Sequence, residues 1–307
     1  MNSPTHAEAA GRRPRDRPGV AAASAAPTHG HAGEELSPAL FAITVGLTVG
    51  GLVLGLKILA PAEVWHTQWS APVWKALVVL LAMTGFNCFV EYFFHRYVLH
   101  KPVIPLLSHF YRQHTLHHSL TRIGRQRTPQ GRMVPFIENI YPITRSEQTE
   151  ASFFPWYTLA VFALGVTPLL ALGHWLAPSF PWFVAGYAAM ACSLVIYEGF
   201  HAIEHWPIER WAPLLEHARW GRLWRKIYSF HLRHHAVIDC NEGVSGFFTL
   251  PLADWLFGTC VFPKTLYADN SEWQEAQFER PRPRWLVRWL DRQTDAIVSR
   301  RRRRARA

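Results

Sequence analysis

The run ASFFPWYTLAVFALGVTPLLALGHWLAPSFPWFVAGYAAMACSLVIY, residues 151–197, holds no Asp, Glu, Lys or Arg in 47 residues. One helix needs only about 20 apolar residues to cross a hydrocarbon core. Gly173, Pro178 and Pro181 interrupt the run, so it predicts two membrane-spanning helices, near 153–172 and 182–199, joined by a short turn. Pro155 and Pro168 fall in the first of these, where neighbouring helices must satisfy the carbonyls that a proline frees. Two more spans precede them. Residues 39–56 carry no charge and continue to Ala60, giving a span at 39–60. Residues 71–94 give the next, with Lys75 and Glu91 near its ends, where they reach polar surroundings. The expected fold is an all-α integral membrane protein with four transmembrane helices in two hairpins.

Composition agrees with this reading. Of 307 residues, 49% are hydrophobic and only 18% charged, and the net charge is +10. The mean hydropathy of -0.02 averages polar ends with very apolar stretches. Cys88, Cys192, Cys240 and Cys260 show no paired spacing, which excludes a disulfide scaffold and a thiolate zinc finger. Residues 1–37, rich in Ala, Pro, Gly and Arg, are expected to form a disordered basic arm without a signal peptide's compact apolar region. Arg300 to Arg304 and Arg306 end the chain in a basic tail, suited to phospholipid headgroups rather than to nucleic acid. The joins at 61–70 and 173–181 contain no Lys or Arg, whereas both tails and the segments 95–150 and 200–307 are Arg-rich. By the positive-inside rule, both termini and those segments are expected in the cytoplasm. The Ala-, Arg- and Pro-rich tails suggest a bacterial plasma membrane rather than an endoplasmic reticulum.

Ten of the 17 histidines fall in four groups. They are His95 and His100; His114, His117 and His118; His201 and His205; and His231, His234 and His235. At this histidine frequency an HxxHH pattern arises by chance roughly 0.05 times in such a chain, yet it occurs twice. Positions i, i+3 and i+4 share a helix face, so each HxxHH triplet can converge, as can His201 and His205. His95 and His100, five apart, stand about 140° apart on an ideal helix and need a bend to meet at one ion; Pro102 marks the expected helix end. Neutral imidazole suits iron, zinc and copper. One ion cannot accept ten histidines, so two ions are expected. The other seven, His6, His29, His31, His66, His109, His174 and His217, read as ordinary surface or core residues.

Placed after two predicted hairpins, the set HxxxxH, HxxHH, HxxxH and HxxHH resembles the fatty acid hydroxylase and sterol desaturase superfamily over roughly residues 70–262. The stretch Glu91-Tyr-Phe-Phe-His95-Arg is similar to that family, as is the stretch from Asn241 through Gly243 and Val244 to Asp254-Trp-Leu-Phe-Gly258-Thr259. The resemblance implies a membrane-bound hydroxylase domain at 38–262 with a cytosolic helical cap from 95–150 and 200–262. It also implies a di-iron centre on the ten histidines and lipid oxidation with O2. Residues 263–307 form a C-terminal cytosolic extension outside it. The insert 121–150 and the long gap between His205 and His231 set this chain apart.

The chemistry is coherent with that resemblance. An unactivated lipid C–H bond needs a one-electron oxidant, which amino acids do not supply and a metal centre does. Each ligating imidazole usually donates its second N–H to a carboxylate or carbonyl; Glu91, Glu198, Glu204, Asp239, Asn241 and Asp254 lie close enough in sequence to serve. The cycle consumes two electrons, and the 37-residue arm is too short for a fused haem domain. An external ferredoxin or cytochrome with its reductase is therefore implied, docking on basic cap surface. In the insert, Arg122, Arg125, Arg127, Arg132 and Arg145 mix with Met133, Val134, Phe136, Ile137, Ile140 and Tyr141, a pattern that suits the anionic leaflet or a solvated loop. Trp156, Trp175, Trp182, Trp206, Trp211, Trp220 and Trp224 read as interfacial anchors. A desaturase or a sterol or carotenoid oxidase would use the same ligands, and zinc could replace iron in purified protein. A metal transporter would favour ligands at mid-membrane, and a bis-histidine haem protein would want them inside the spans, which makes both poorer readings.

Overall fold

A computed structural model describes residues 38–139, 153–263 and 279–304. The arm at 1–37 and the insert's Ile140, Tyr141 and Arg145 lie outside the described residues. Helices α1 (Pro38–Leu59), α2 (Ala62–Ser70) and α3 (Val73–Phe94) open the chain, and α3 continues through a π-helical turn at His95–Leu99. After α4 (Ser108–Leu120) come strands β1 (Thr121–Arg127) and β2 (Met133–Asn139). Helices α5 (Thr158–Leu176), α6 (Trp182–Glu204), α7 (Ile208–Leu215), α8 (Gly221–Ala236), α9 (Leu252–Phe257) and α10 (Trp285–Arg304) follow.

Four helices are long and apolar enough to cross a membrane: Pro38–Leu59, Val73–Leu99, Thr158–Leu176 and Trp182–Glu204. α3 and α5 pack on α6, and α1 lies against α6 and α5. Their shared core holds Val79, Met83, Ala163, Val166, Leu170 and Phe183. Close approach depends on small residues: a Cβ on Gly186 would stand 2.4 Å from Leu170, and one on Gly173 2.6 Å from the Trp182 ring. Outward faces stay apolar, and α1 buries no residue at all, as expected of a helix whose solvent is lipid. Gln68, buried on α2, accepts hydrogen bonds from the N–H groups of Phe183 and Val184, satisfying donors that the start of α6 leaves open.

Several sequence expectations need correction. α5 begins at Thr158 rather than 153, so Pro155 precedes the helix and its carbonyl accepts the Thr158 N–H instead. Gly173 does not break it, because the helix uses the missing side chain to meet Trp182; Pro178 and Pro181 supply the stop. α6 runs past 199 to Glu204, carrying the buried Glu198, His201 and Glu204 on one face.

The all-α expectation also fails, since the start of the insert is an antiparallel β-hairpin in register from Thr121↔Asn139 to Arg127↔Met133. Gly131, at φ +82, makes its turn. Val134 and Ile137 do not rest on a leaflet: they are buried against Ile208, Trp211, Tyr228 and Leu232. Trp211 is no interfacial anchor either. It is fully buried and its indole N–H donates to the Ile203 carbonyl at 3.0 Å. Trp156, Trp175 and Trp220 are exposed. In the C-terminal extension, α10 inserts Val287 among Cys88, Tyr92, Ala253 and Phe257.

Truncating Trp211 removes the centre of the cluster joining the β-hairpin to α7 and α8. Trp211→Ala is expected to cost about 3–5 kcal/mol, read as a lowered midpoint in denaturant unfolding of the detergent-solubilised protein. An unchanged midpoint would show that this cluster does not support the fold.

Candidate metal centre

The sequence around His95 sets the first part of the centre. The α3 helix cannot continue past Pro102, and its last turn widens so that the His100 N–H donates to the His95 carbonyl, five residues back, at 3.1 Å. A π turn places residues five apart on nearly one face. This supplies the bend that an α-helix lacks, and the two rings stack with centroids 4.9 Å apart.

The HxxHH triplets do not each converge on one point; each is divided. On α4, His114 and His118 join His95, His100 and His234 in one group, while His117 joins His201, His205, His231 and His235 in a second. On α8, His231 and His235 serve the second group and His234 crosses to the first. Each helix thus gives its i, i+4 pair to one group and its remaining imidazole to the other. The ten expected ligands are all gathered, and His109 is in neither group.

Within the first group the Nε2 atoms of His95 and His114 stand 3.0 Å apart, those of His114 and His118 3.1 Å, those of His100 and His234 3.2 Å, and those of His100 and His114 3.3 Å. In the second group, separations are 3.2 Å for His117 and His201, 3.1 Å for His205 and His231, and 3.0 Å for His231 and His235. Two ligands at right angles on metal–nitrogen bonds of about 2.1 Å stand about 3.0 Å apart. The spacing is that of a coordination shell. The groups adjoin where the His118 and His235 rings stack at 4.4 Å.

The outer ring nitrogens show which tautomer points inward. His95 Nδ1–H donates to the Glu242 carbonyl at 2.6 Å and His234 Nδ1–H to the Cys240 carbonyl at 2.8 Å. A carbonyl only accepts, so both inner Nε2 atoms carry lone pairs. His235 Nδ1 lies 3.0 Å from the Thr121 hydroxyl and His231 Nδ1 3.4 Å from the Glu204 carboxylate. With those lone pairs turned inward and one ring nitrogen from each of five histidines gathered at either point, the residues fit two metal ions, five imidazoles to each. Burial first, and the neighbouring imidazoles next, hold His100, His114, His117, His118, His205, His231 and His235 well below the usual histidine range. His234 is pulled down to about 3, burial again leading. The rings are neutral at pH 7 and ready to ligate.

The six carboxylate and amide candidates divide by role. Glu204 meets His231 directly. Glu91, Asp254 and Asn241 act through the loop after α8. Glu91 accepts the N–H groups of Val244, Ser245 and Gly246 and the Ser245 hydroxyl. Asp254 accepts those of Glu242 and Gly243 and the Thr259 hydroxyl. Asn241, at φ 55, donates to the carbonyls of Phe230 and Val261. Together they fix the Cys240 and Glu242 carbonyls under the two histidines. Glu198 accepts the Phe154 N–H at 2.9 Å, and the Asp239 carboxylate pairs with Arg280 at 3.1 Å; each tie lies away from the imidazoles.

Sequence reasoning missed Glu242. It is fully buried, its Oε2 lies 3.9 Å from His95 Nδ1 and 4.0 Å from His100 Nε2, and burial pushes its carboxyl well above the usual range against the opposing pull of Arg96. Arg96 holds Glu242 at 2.9 Å with one nitrogen and Asp291 of α10 at 2.8 Å with another. Half-burial raises the Asp291 carboxyl, but Arg96 and Lys101 hold it below the usual range. The signal was present: an arginine directly follows a ligand, and an acidic residue directly follows Asn241.

Metal analysis of purified protein by mass spectrometry is expected to give about two ions per chain. His118→Ala should lower retention, and His109→Ala should leave it unchanged; equal loss in both variants would contradict the grouping. Acid should act on the metal-free fold too. The folded-state histidine pKa values are depressed, so below about 6.5 the unfolded chain binds protons that the folded chain refuses. The melting temperature of the metal-free protein should therefore fall from pH 7 to pH 5, and a flat profile would contradict the burial of these rings.

No family model, no curated protein and no solved structure matches the chain.

Proposed function

We propose that the protein is a membrane-bound di-iron oxygenase that inserts a hydroxyl group into a lipid C–H bond, with a fatty acyl chain as substrate. The observation that carries this reading is an apolar cavity opening onto the histidines. Val90, Phe94, Leu99, Phe154, Phe162 and Met190 form its walls, with His95 among its lining residues. A second pocket shares Leu99, Phe154 and Tyr197 with it and reaches His114 of one group and His201 of the other. A slot of this kind, between helices that span a bilayer, accepts a hydrocarbon tail while the headgroup stays at the interface. A transported ion would gain nothing from apolar walls.

Two iron ions, when bound, supply the reduction of O2 that lipid C–H oxidation requires. The balance is one C–H bond and one O2, with two electrons and two protons taken up, giving one alcohol and one water. The electrons come from an external ferredoxin or cytochrome with its reductase. The chain's own residues do the rest. The phenyl rings exclude water and hold the acyl chain, the Cys240 and Glu242 carbonyls fix two rings through Nδ1, and the Glu204 carboxyl stands 3.4 Å from the outer nitrogen of His231. In this reading the four spans form two hairpins in a bacterial plasma membrane, and the histidine-bearing segments and both termini lie in the cytoplasm. The family resemblance and the charge pattern support that placement.

Comparative lipid mass spectrometry of cells with and without the protein tests the proposal. A lipid gaining sixteen mass units (one oxygen) is the expected result. A loss of two hydrogens would assign a desaturase on the same ligands, and an unchanged lipidome would overturn lipid oxidation. Met190→Trp, which fills the cavity, should abolish the product while metal content stays at the wild-type value.

A further inference from the structure

α3 gives a ruler for depth. The Lys75 ammonium donates to the Ser179 hydroxyl and carbonyl and marks one end of the apolar span, while His95 begins the metal centre at the other. Gly85 is midway, about 15 Å from each at 1.5 Å per residue. The Phe247 ring comes within 3.9 Å of the place a Gly85 Cβ would take. It packs, with Ala253 and Phe257 of α9, against Cys88 and Tyr92. Residues well beyond the last histidine therefore return to the middle depth of a spanning helix.

We propose that residues 246–257 form a re-entrant element that dips into the bilayer beside α3, and that the first two turns of α10 lie in the interface above it. Backbone at that depth must satisfy its own polar groups, and the N–H groups of Gly246, Phe247, Thr249 and Leu250 all find partners within the fold. The Phe247 N–H donates to the Leu250 carbonyl at 2.9 Å and the Leu250 N–H to the Phe247 carbonyl at 3.1 Å. The Thr249 N–H donates to the Ser245 carbonyl, and the Glu91 carboxylate takes the N–H groups of Val244, Ser245 and Gly246. The turn is tight enough that a Cβ on Gly246 would stand 2.4 Å from the Leu250 carbonyl oxygen.

Its outward face is apolar, as the outward faces of the spans are. Leu250, Leu252, Trp255, Leu256, Trp285 and Trp289 are between 38% and 71% exposed. On α10, Trp285 and Trp289 stand one turn apart on the face away from the buried Val287 and Thr294, and the helix ends in Arg300 to Arg304. Tryptophan followed by arginine is the order that the interface of an anionic bilayer selects. The inner face of the same helix holds Arg96 through Asp291, beside the ligand His95. Seating α10 in the interface thus fixes the height of the histidines above the bilayer, whatever reaction they support.

Hydroxyl-radical footprinting of the native protein in nanodiscs of phosphatidylglycerol and phosphatidylcholine, read by peptide mass spectrometry, tests this directly. Trp220, in the turn before α8 between the exposed Arg219 and Arg222 and not at the end of a span, is no interfacial anchor. It is 49% exposed and Trp255 and Trp289 are each 47% exposed, so water alone would oxidise all three at similar rates. The expected result is oxidation of Trp255 and Trp289 severalfold slower than that of Trp220. Equal rates at the three tryptophans would overturn the proposal, as would protection of Trp289 alone.

Discussion

Ten imidazoles turned toward two points, six of them buried and four partly buried, are the constraint the rest of the molecule answers to. Left to themselves the rings would repel, take up protons or swell apart into solvent. Burial denies them the proton, and two carbonyls and a hydroxyl on their outer nitrogens keep His95, His234 and His235 from turning away. What remains favourable is a cation at each point. The hydrogen-bonded chain running from the buried Glu242 through Arg96 to the half-buried Asp291 has a related purpose, because it ties the C-terminal helix to the residue next to His95.

The division of ligands explains why the two points form one centre. The first half of the chain gives His95, His100, His114 and His118 to one group, and the second half gives His201, His205, His231 and His235 to the other. The halves then exchange one ring each, His117 for His234. Neither group is complete without α4 and α8 side by side, so the centre assembles only when both halves have folded. The halves differ in one respect. His201 and His205 lie one α-helical turn apart, whereas His95 and His100 share a face through a π turn.

Much of this was legible in residue order, and what was not has physical causes. The spans could be located because an apolar run of given length has few other solutions, yet the start of α5 was placed five residues early because charge-free sequence does not mark the turn that Pro155 makes. The ten histidines were legible from spacing. Their partition was not, because i, i+3 and i+4 share a face too broad to show which ring tips to which side. Trp211 and the β-hairpin were misread for a common reason. An amphipathic segment has the same pattern whether its apolar side meets lipid or the β-hairpin's own neighbours, and here Val134 and Ile137 meet Trp211. The carbonyls of Cys240 and Glu242 carry no side-chain signature, so nothing in the sequence could name them.

X-ray absorption at the iron edge of protein reconstituted with ferrous iron tests the central claim most directly. Imidazole rings scatter in a recognisable outer-shell pattern, and the expected spectrum is nitrogen-only protein ligation with about five imidazoles per iron at about 2.1 Å. A spectrum dominated by carboxylate oxygen or sulfur, or one that needs only one or two imidazoles per iron, would contradict it.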